Sequence, residues 1–320
     1  MPPAVAICLV AFNNENVIGE ALDAALAQEG VAFRVHVWDN ASRDGTADVL
    51  GRREGVSAHY SDVNLGFCAA NNRLIERTDE PFILFLNPDT HLLPGCLATL
   101  AAALAAAPRD VAAVAPKLLQ PARGEGPAII DSAGIVLAKE NLSPYDRGQG
   151  EPDRGQFDAP AEIFGPTFAC ALWRREAVEA LRLDGQFLDE SFFAYYEDVD
   201  IAWRAQRLGR RFLYVPGATC LHRRGHPHAW GHTLAARAFV NRYLLLIANE
   251  TGRDGYGYLW RLLPREAARL IWKSVKFKGF SIAWRMLAQD WRYAWAKRRR
   301  LRALERSEEH TSELQSPNTI

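Results

Sequence analysis

Cysteine pairs of the Cys-x-x-Cys kind are missing from this chain. Its five cysteines (Cys8, Cys68, Cys96, Cys170 and Cys220) are odd in number and scattered, which argues against a disulfide framework or a zinc centre and for a reducing compartment. No basic stretch with a cleavage site precedes the first strand-like segment, so no signal peptide is expected. The most apolar of the longer runs, Leu92 to Ala107, is broken by Pro94 and Gly95. It falls short of the ~20 residues that span a bilayer, so no transmembrane helix is expected. No Gly-x-Gly-x-x-Gly follows the first strand, where Asn13-Asn14-Glu15 stands instead. That weighs against a nucleotide-dependent oxidoreductase, which would also be doubly wound. Internal repeats are absent, and no nucleic-acid-binding module is recognisable.

What is present is a 320-residue chain, 48% hydrophobic and 24% charged, long enough to bury a sizeable core. Its net charge of zero hides an asymmetry: residues 253–306 carry 15 Lys/Arg against 4 Asp/Glu. Five of the nine tryptophans (Trp260, Trp272, Trp284, Trp291 and Trp295) lie in the same segment. Trp284, Leu287, Ala288, Trp291 and Trp295 fall at helical spacing, with Arg285, Arg292 and the run Lys297-Arg298-Arg299-Arg300 supplying charge. An amphipathic helix of this kind suits an anionic membrane surface. A solvated helix packed on the rest of the protein is the plainer reading.

The first half alternates strands and helices. Val5–Ala11, Val31–Trp38, Ser57–Tyr60 and Phe82–Leu86 read as strands, and Val17–Gln28, Thr46–Arg53, Ala69–Arg77 and Gly95–Ala106 as helices. This rhythm predicts an α/β fold with a mostly parallel sheet flanked by helices, its strand ends gathered on one edge. Residues 120–160, rich in Gly, Pro, Asp and Arg, read as a long excursion outside the core. Order resumes at Ile163–Leu172 and in a helix Arg174–Leu181. Strand Arg211–Val215 and a turn Pro216–Ala218 precede His222, after which the chain reads as helical to about Leu304. The stretch from Arg306 to Ser316 resembles the conceptual translation of a DNA-sequencing adapter, and residues 306–320 are set aside from fold reasoning.

Chemistry-bearing residues cluster at the strand ends. Phe82 to Leu86 runs into Asn87-Pro88-Asp89, where Pro88 stiffens the turn and aims a carboxylate at the edge of the sheet. Strand Val31–Trp38 ends in Asp39-Asn40-Ala41-Ser42-Arg43-Asp44-Gly45-Thr46. A carboxylate there can accept from a nucleobase or ribose, and an ordinary turn capped by Asp44 or Thr46 explains the same residues. In Asn64-Leu65-Gly66-Phe67-Cys68-Ala69-Ala70-Asn71-Asn72, Gly66 permits close backbone approach and the amides offer donors and acceptors.

Together with Val10-Ala11-Phe12-Asn13, these runs resemble glycosyltransferase family 2, the inverting enzymes of GT-A fold, and in particular their rhamnosyltransferase-like branch. The resemblance implies a GT-A domain over residues 1–230; the charge and tryptophan pattern makes residues 231–305 a helical, basic, membrane-associating extension. It implies that a nucleotide-sugar donor is held by Asn13, Asp39, Asn40, Asn64, Gly66, Asn71 and Asn87. A divalent metal, Mg or Mn, would be bound by Asp89 and His222. The family's Asp-x-Asp triplet begins here with Asn87, which leaves Asp89 as its sole charged ligand. His226 and His228 depart from the family pattern, in which a Ser follows this His.

The run Phe187 to Asp200 sets acids beside aromatic rings, and such packing raises a carboxyl pKa toward that of a general base. By resemblance, Asp198 of the Glu197-Asp198 pair is the base, while Asp200 is expected to pair with Arg204 four residues on. The reaction implied is transfer of rhamnose from dTDP-rhamnose to a lipid-linked or cell-envelope glycan, by a peripheral enzyme at the cytoplasmic face of a bacterial inner membrane. Galactofuranosyl or other hexosyl transfer, a catalytically silent membrane-associated scaffold, and assembly into a homo-oligomer stay open.

Overall fold

The computed structural model describes residues 2–121, 126–138, 140–224, 231–249, 264–269, 271 and 280–315. Four strands, β1 (Val5–Ala11), β2 (Phe33–Asp39), β3 (Val56–Tyr60) and β4 (Phe82–Leu86), pair in parallel in the order β4-β1-β2-β3. β1 and β4 coincide with the segments expected from their apolar runs. Helices α1 (Ile18–Leu26), α2 (Thr46–Gly51) and α3 (Phe67–Ile75) make the crossovers. Both faces of β1 are buried: Val5, Ile7 and Leu9 enter one core cluster, and Ala6, Cys8 and Val10 the other. An uninterrupted apolar run is the mark of such a doubly covered strand.

The sheet continues through β6 (Val111–Leu119), β11 (Cys170–Arg174), β12 (Arg211–His222) and β10 (Ala161–Ile163), in the overall order β10-β12-β6-β11-β4-β1-β2-β3. β11 is antiparallel to both its neighbours. The short strands β5 (Thr90–Leu92), β7 (Ile130–Ser132) and β10 attach antiparallel at the margins, and β8 (Ile135–Leu137) with β9 (Pro144–Asp146) forms a separate hairpin. Six of the ten strands (β1–β4, β6 and β12) run the same way, a mixed but mostly parallel sheet. Helices α4 (Cys96–Ala106), α5 (Arg175–Ala180) and α6 (Glu197–Arg207) complete its flanks.

Three expectations need correction. The excursion 120–160 is partly core: Ile130, Asp131, Ser132 and Ala133 are fully buried because β7 adds to β6. The segment read as a strand and a turn before His222 is one strand, β12, with an irregularity in its pairing between Val215 and Thr219. Lastly, Lys297 and Arg298 are buried, so only the later part of the basic run faces solvent.

The C-terminal segment forms α7 (His232–Asn249) and a long helix, α8 (Phe280–Gln315), which passes Arg306 without a break. Ala236, Val240, Leu244 and Leu245 of α7 and Ala283 and Ala294 of α8 enter the same core cluster as α6. Trp284, Trp291 and Trp295 stay exposed on the outer side. The core-facing residues and the exposed tryptophans thus share one helix. Trp260 and Trp272 lie outside the described residues.

Candidate active site

The edge at which β1 to β4 end carries most of the residues expected to hold a donor. Asn13 sits in the left-handed region at φ 56°; its Oδ1 accepts from Arg43 N at 2.8 Å, and its own N–H donates to Ser42 Oγ at 2.9 Å. The Asp39 carboxylate, nearly buried, accepts from Ser42 N at 3.0 Å. Asn40 Nδ2 donates to Asn64 Oδ1 at 3.0 Å. Leu65 N donates to Asn40 Oδ1 at 2.8 Å and Gly66 N to Asn64 Oδ1 at 2.9 Å. Gly66 is required in this loop: φ is 84°, and a Cβ would lie 2.5 Å from the Phe193 ring and 2.8 Å from its carbonyl oxygen.

A cleft of about 520 Å³ opens over this edge. Phe12, Asn14, Asn40, Asn64 and Gly66 line one side, and Leu234 and Arg237 of α7 with Met286 of α8 the other. Asn13, Asp39 and Asn71 do not line it. Asn71 is buried and donates to Phe67 O at 3.0 Å within its own helix.

A second cavity, about 330 Å³, adjoins the first across Phe67 and Ala194. It gathers Asn87, Glu197, Asp198 and His222, together with Asp146 and Arg224. Residues distant in sequence meet here because β12 pairs with β5, which sets His222 opposite Thr90, one residue past Asp89. His222 Nε2 lies 3.4 Å from Asp89 Oδ1, and Nδ1 lies 2.8 Å from Asp131 Oδ2. Burial opposes charge on this imidazole, but hydrogen bonds to the Asp131 and Asp89 carboxylates outweigh it and lift its pKa to about 9.

Among the described residues, no group of three or more His, Cys, Asp and Glu could hold a metal ion. Two donors nevertheless converge in Asp89 and, once a metal displaces its proton, His222. The far ring nitrogen of His222 is fixed by Asp131, an arrangement that orients metal-binding histidines. A carboxylate and an imidazole fit Mg2+ or Mn2+ where substrate oxygens and water complete the shell.

The acid pair opens α6 immediately after a turn in which Phe193, Tyr195 and Tyr196 all have positive φ, at 62°, 70° and 71°. Glu197 Oε2 is buried without a hydrogen-bond partner, while Asp198 Oδ1 accepts from Val199 N at 2.8 Å. Burial lifts both carboxyls well above the usual range; the charge of Asp198 adds to this at Glu197, and that of Asp146 at Asp198. Asp200 does pair with Arg204, at 3.4 Å.

Asp131, Asp146 and Arg224 were not foreseen. Arg224 Nε donates to Asp131 Oδ1 at 2.5 Å, and the guanidinium also pairs with Asp146. Asp131 and Asp146 belong to the stretch whose Gly- and Pro-rich composition reads as excursion; the apolar Ile129-Ile130 doublet ahead of Asp131 is the local sign that it enters the core. His226 and His228 lie outside the described residues.

Residues 6–182, which run from β1 to just past α5, match the profile of the family described as Glycosyl transferase family 2. The chain belongs to that family. This glycosyltransferase is 29% identical over 217 residues to N-acetylglucosaminyl-diphospho-decaprenol L-rhamnosyltransferase of Mycobacterium tuberculosis, covering 59% of this chain and 66% of the relative. It is 33% identical over 100 residues to an uncharacterised protein of the same organism, MT1568, covering 31% of each. The chain thus spans between about a third and two thirds of the length of these curated relatives. Among solved structures, it resembles GalNAc-T7 with UDP, GalNAc and Mn2+, with a TM-score of 0.59, 11% identity, and coverage of 77% of this chain and 49% of that one. The mannosyltransferase PcManGT of Pyrobaculum calidifontis, in complex with GDP-Man and Mn2+, gives 0.54 at 18% identity, over 96% of this chain and 87% of that one. At these identities the likeness speaks for the GT-A fold.

Proposed function

We propose that this glycosyltransferase inverts the anomeric carbon of a nucleotide sugar, rhamnose carried by dTDP, in transferring it to a lipid-linked glycan hydroxyl. The observation that carries the reading is the Glu197-Asp198 pair, raised in pKa and facing the Asp89–His222 corner's imidazole across one small cavity. A carboxyl tuned upward by burial is suited to accept a proton near neutral pH. In the proposed step, the acceptor oxygen bonds to the anomeric carbon and its proton passes to Asp198. The carbon–oxygen bond to the diphosphate breaks, and that bond's electron pair stays on the diphosphate. A divalent cation held by Asp89 and His222 would supply Lewis-acid stabilisation of the charge on that leaving group. Arg224 adds fixed positive charge at the same cavity.

The rhamnosyltransferase relative supports the rhamnosyl group and the prenyl-linked acceptor. For the membrane, the support is the exposed row Trp284, Trp291 and Trp295, with Arg285, Arg292 and Arg299 exposed beside it. Among the described residues no helix is long and apolar enough to cross a bilayer, so attachment at the cytoplasmic face would be peripheral.

The test is transfer from dTDP-rhamnose to a prenyl-diphospho-N-acetylglucosamine, with and without Mn2+, in the wild type and D198A. Metal-dependent transfer lost in D198A supports the mechanism; metal-independent turnover that survives D198A overturns it. For the membrane, flotation with anionic liposomes is expected for the wild type and not for a W284A/W291A/W295A variant. Equal partitioning removes the claim.

A further inference from the structure

The turn that delivers Glu197 and Asp198 is held at both ends and in its middle by the C-terminal helices. Its ends are Asp189 and Asp200, both buried. One ammonium, Lys297 Nζ of α8, contacts both: 2.6 Å from Asp189 Oδ2, and 2.7 and 2.8 Å from the two oxygens of Asp200. Tyr293 Oη donates to Asp189 Oδ1 at 3.0 Å, and Asn249 Nδ2 of α7 donates to Asp200 Oδ1 at 2.7 Å. In the middle, Asn241 Nδ2 of α7 lies 2.8, 2.9 and 2.8 Å from the carbonyl oxygens of Phe192, Ala194 and Tyr195. The Lys297 ammonium also lies 4.9 Å over the Phe192 ring.

Two features mark this as more than packing. Three non-glycine residues in the left-handed region persist only where the surroundings over-determine them, and such strain gathers at functional sites. Buried ions are also a poor way to gain stability, since apolar side chains of similar volume do as well or better; what ions add is a defined geometry. Here the charges of Asp189 and Asp200 are matched by Lys297 and Arg204, all four buried. The ammonium draws the two ends of a twelve-residue loop together, and that loop carries the acid pair.

We infer that Lys297 and Asn241 are positioning residues, which clamp the 189–200 loop and so aim the Glu197-Asp198 carboxyls into the cavity; α7 and α8 then belong to the catalytic unit. This inference rests on the proposed role of Asp198, and its test is chosen to separate the two. In the full-length protein, K297M and N241A are each expected to lower kcat about a hundredfold, the cost of misplacing a reacting group by about an ångström. Donor KM and the affinity for the nucleoside diphosphate, by calorimetry, should stay within about threefold of wild type. Amide exchange over residues 193–200 should accelerate at least tenfold, on the order expected for local opening, while β1 to β4 keep their protection.

N241A leaves every buried charge paired, so it decides the matter should K297M fail to fold. A kcat within about threefold of wild type in N241A, or parallel losses of kcat and diphosphate affinity, overturns the inference. Should the wild type itself transfer no sugar, exchange alone decides: unchanged protection over 193–200 in N241A overturns the clamp.

Discussion

The two cavities of this glycosyltransferase use polar side chains in opposite ways. At the edge where β1 to β4 end, Asn13 and Asp39 bond to the backbone of residues 42 and 43, and the hydrogen bonds of Asn40 and Asn64 define the backbone around Gly66. At the acid corner, Glu197 Oε2 is buried without a hydrogen bond and Asp198 sits near another carboxylate. A satisfied network makes a rigid surface. An unsatisfied acid, by contrast, stores the electrostatic cost that chemistry can use. On the proposed mechanism, the first cavity holds a shape and the second changes a charge.

The sharpest way to break this contrast is D198N. Turnover should fall about a thousandfold, within the range for loss of a general base. Stability should move the other way. Folding holds this carboxyl's pKa above its unfolded value, so the unfolded chain releases the proton first. Stability thus falls as pH rises from the ordinary carboxylate range through the raised pKa. D198N removes that fall, and its thermal midpoint should exceed the wild type's by a margin that widens from pH 5 to pH 8. A margin independent of pH would show that Asp198 is not held protonated by the fold.

A smaller effect is expected from D131N, which leaves both proposed metal donors in place. Mn2+-dependent donor binding, measured by calorimetry, should weaken about tenfold to a hundredfold, as for other partners of metal-binding histidines. Smallest in turnover is N40A. It removes the bonds to Asn64 and Leu65, at about 1–3 kcal/mol of stability in denaturant melts. It should raise donor KM while leaving kcat near the wild-type value. A collapse of kcat in N40A would place chemistry at the wrong cavity.

Much of the β1–β4 half of the fold was legible because its signals are local. β1 and β4 are continuous apolar runs, and each runs into residues whose turn chemistry is visible in sequence, Asn13-Asn14 and Asn87-Pro88-Asp89. The Asp89–His222 proximity was legible only through resemblance, since it depends on β12 pairing with β5, a contact between segments some 130 residues apart. Asp131 was hidden by composition: three residues of β7 were too short to stand out from the Gly- and Pro-rich stretch around them. Lys297 was hidden by its neighbours. A run of four basic residues reads as surface, yet successive residues on a helix turn by about 100°, so such a run must point to more than one side. The inward pair, Lys297 and Arg298, could be told apart only once the helix had a partner.

The pairing irregularity in β12 sets which way its histidine points. Before it, Phe212 and Tyr214 enter the core on one face of the sheet; after it, Cys220 enters the core on the other. Side chains alternate along a strand with period two. Residues of the same parity can change sides only because residues 216–218 interrupt the register between Val215 and Thr219. The interruption therefore acts as an inverter, and its arithmetic matters more than its composition. With the interruption kept at its length, removing one residue ahead of it would slip the register and present Arg223, in place of the His222 imidazole, toward Asp89.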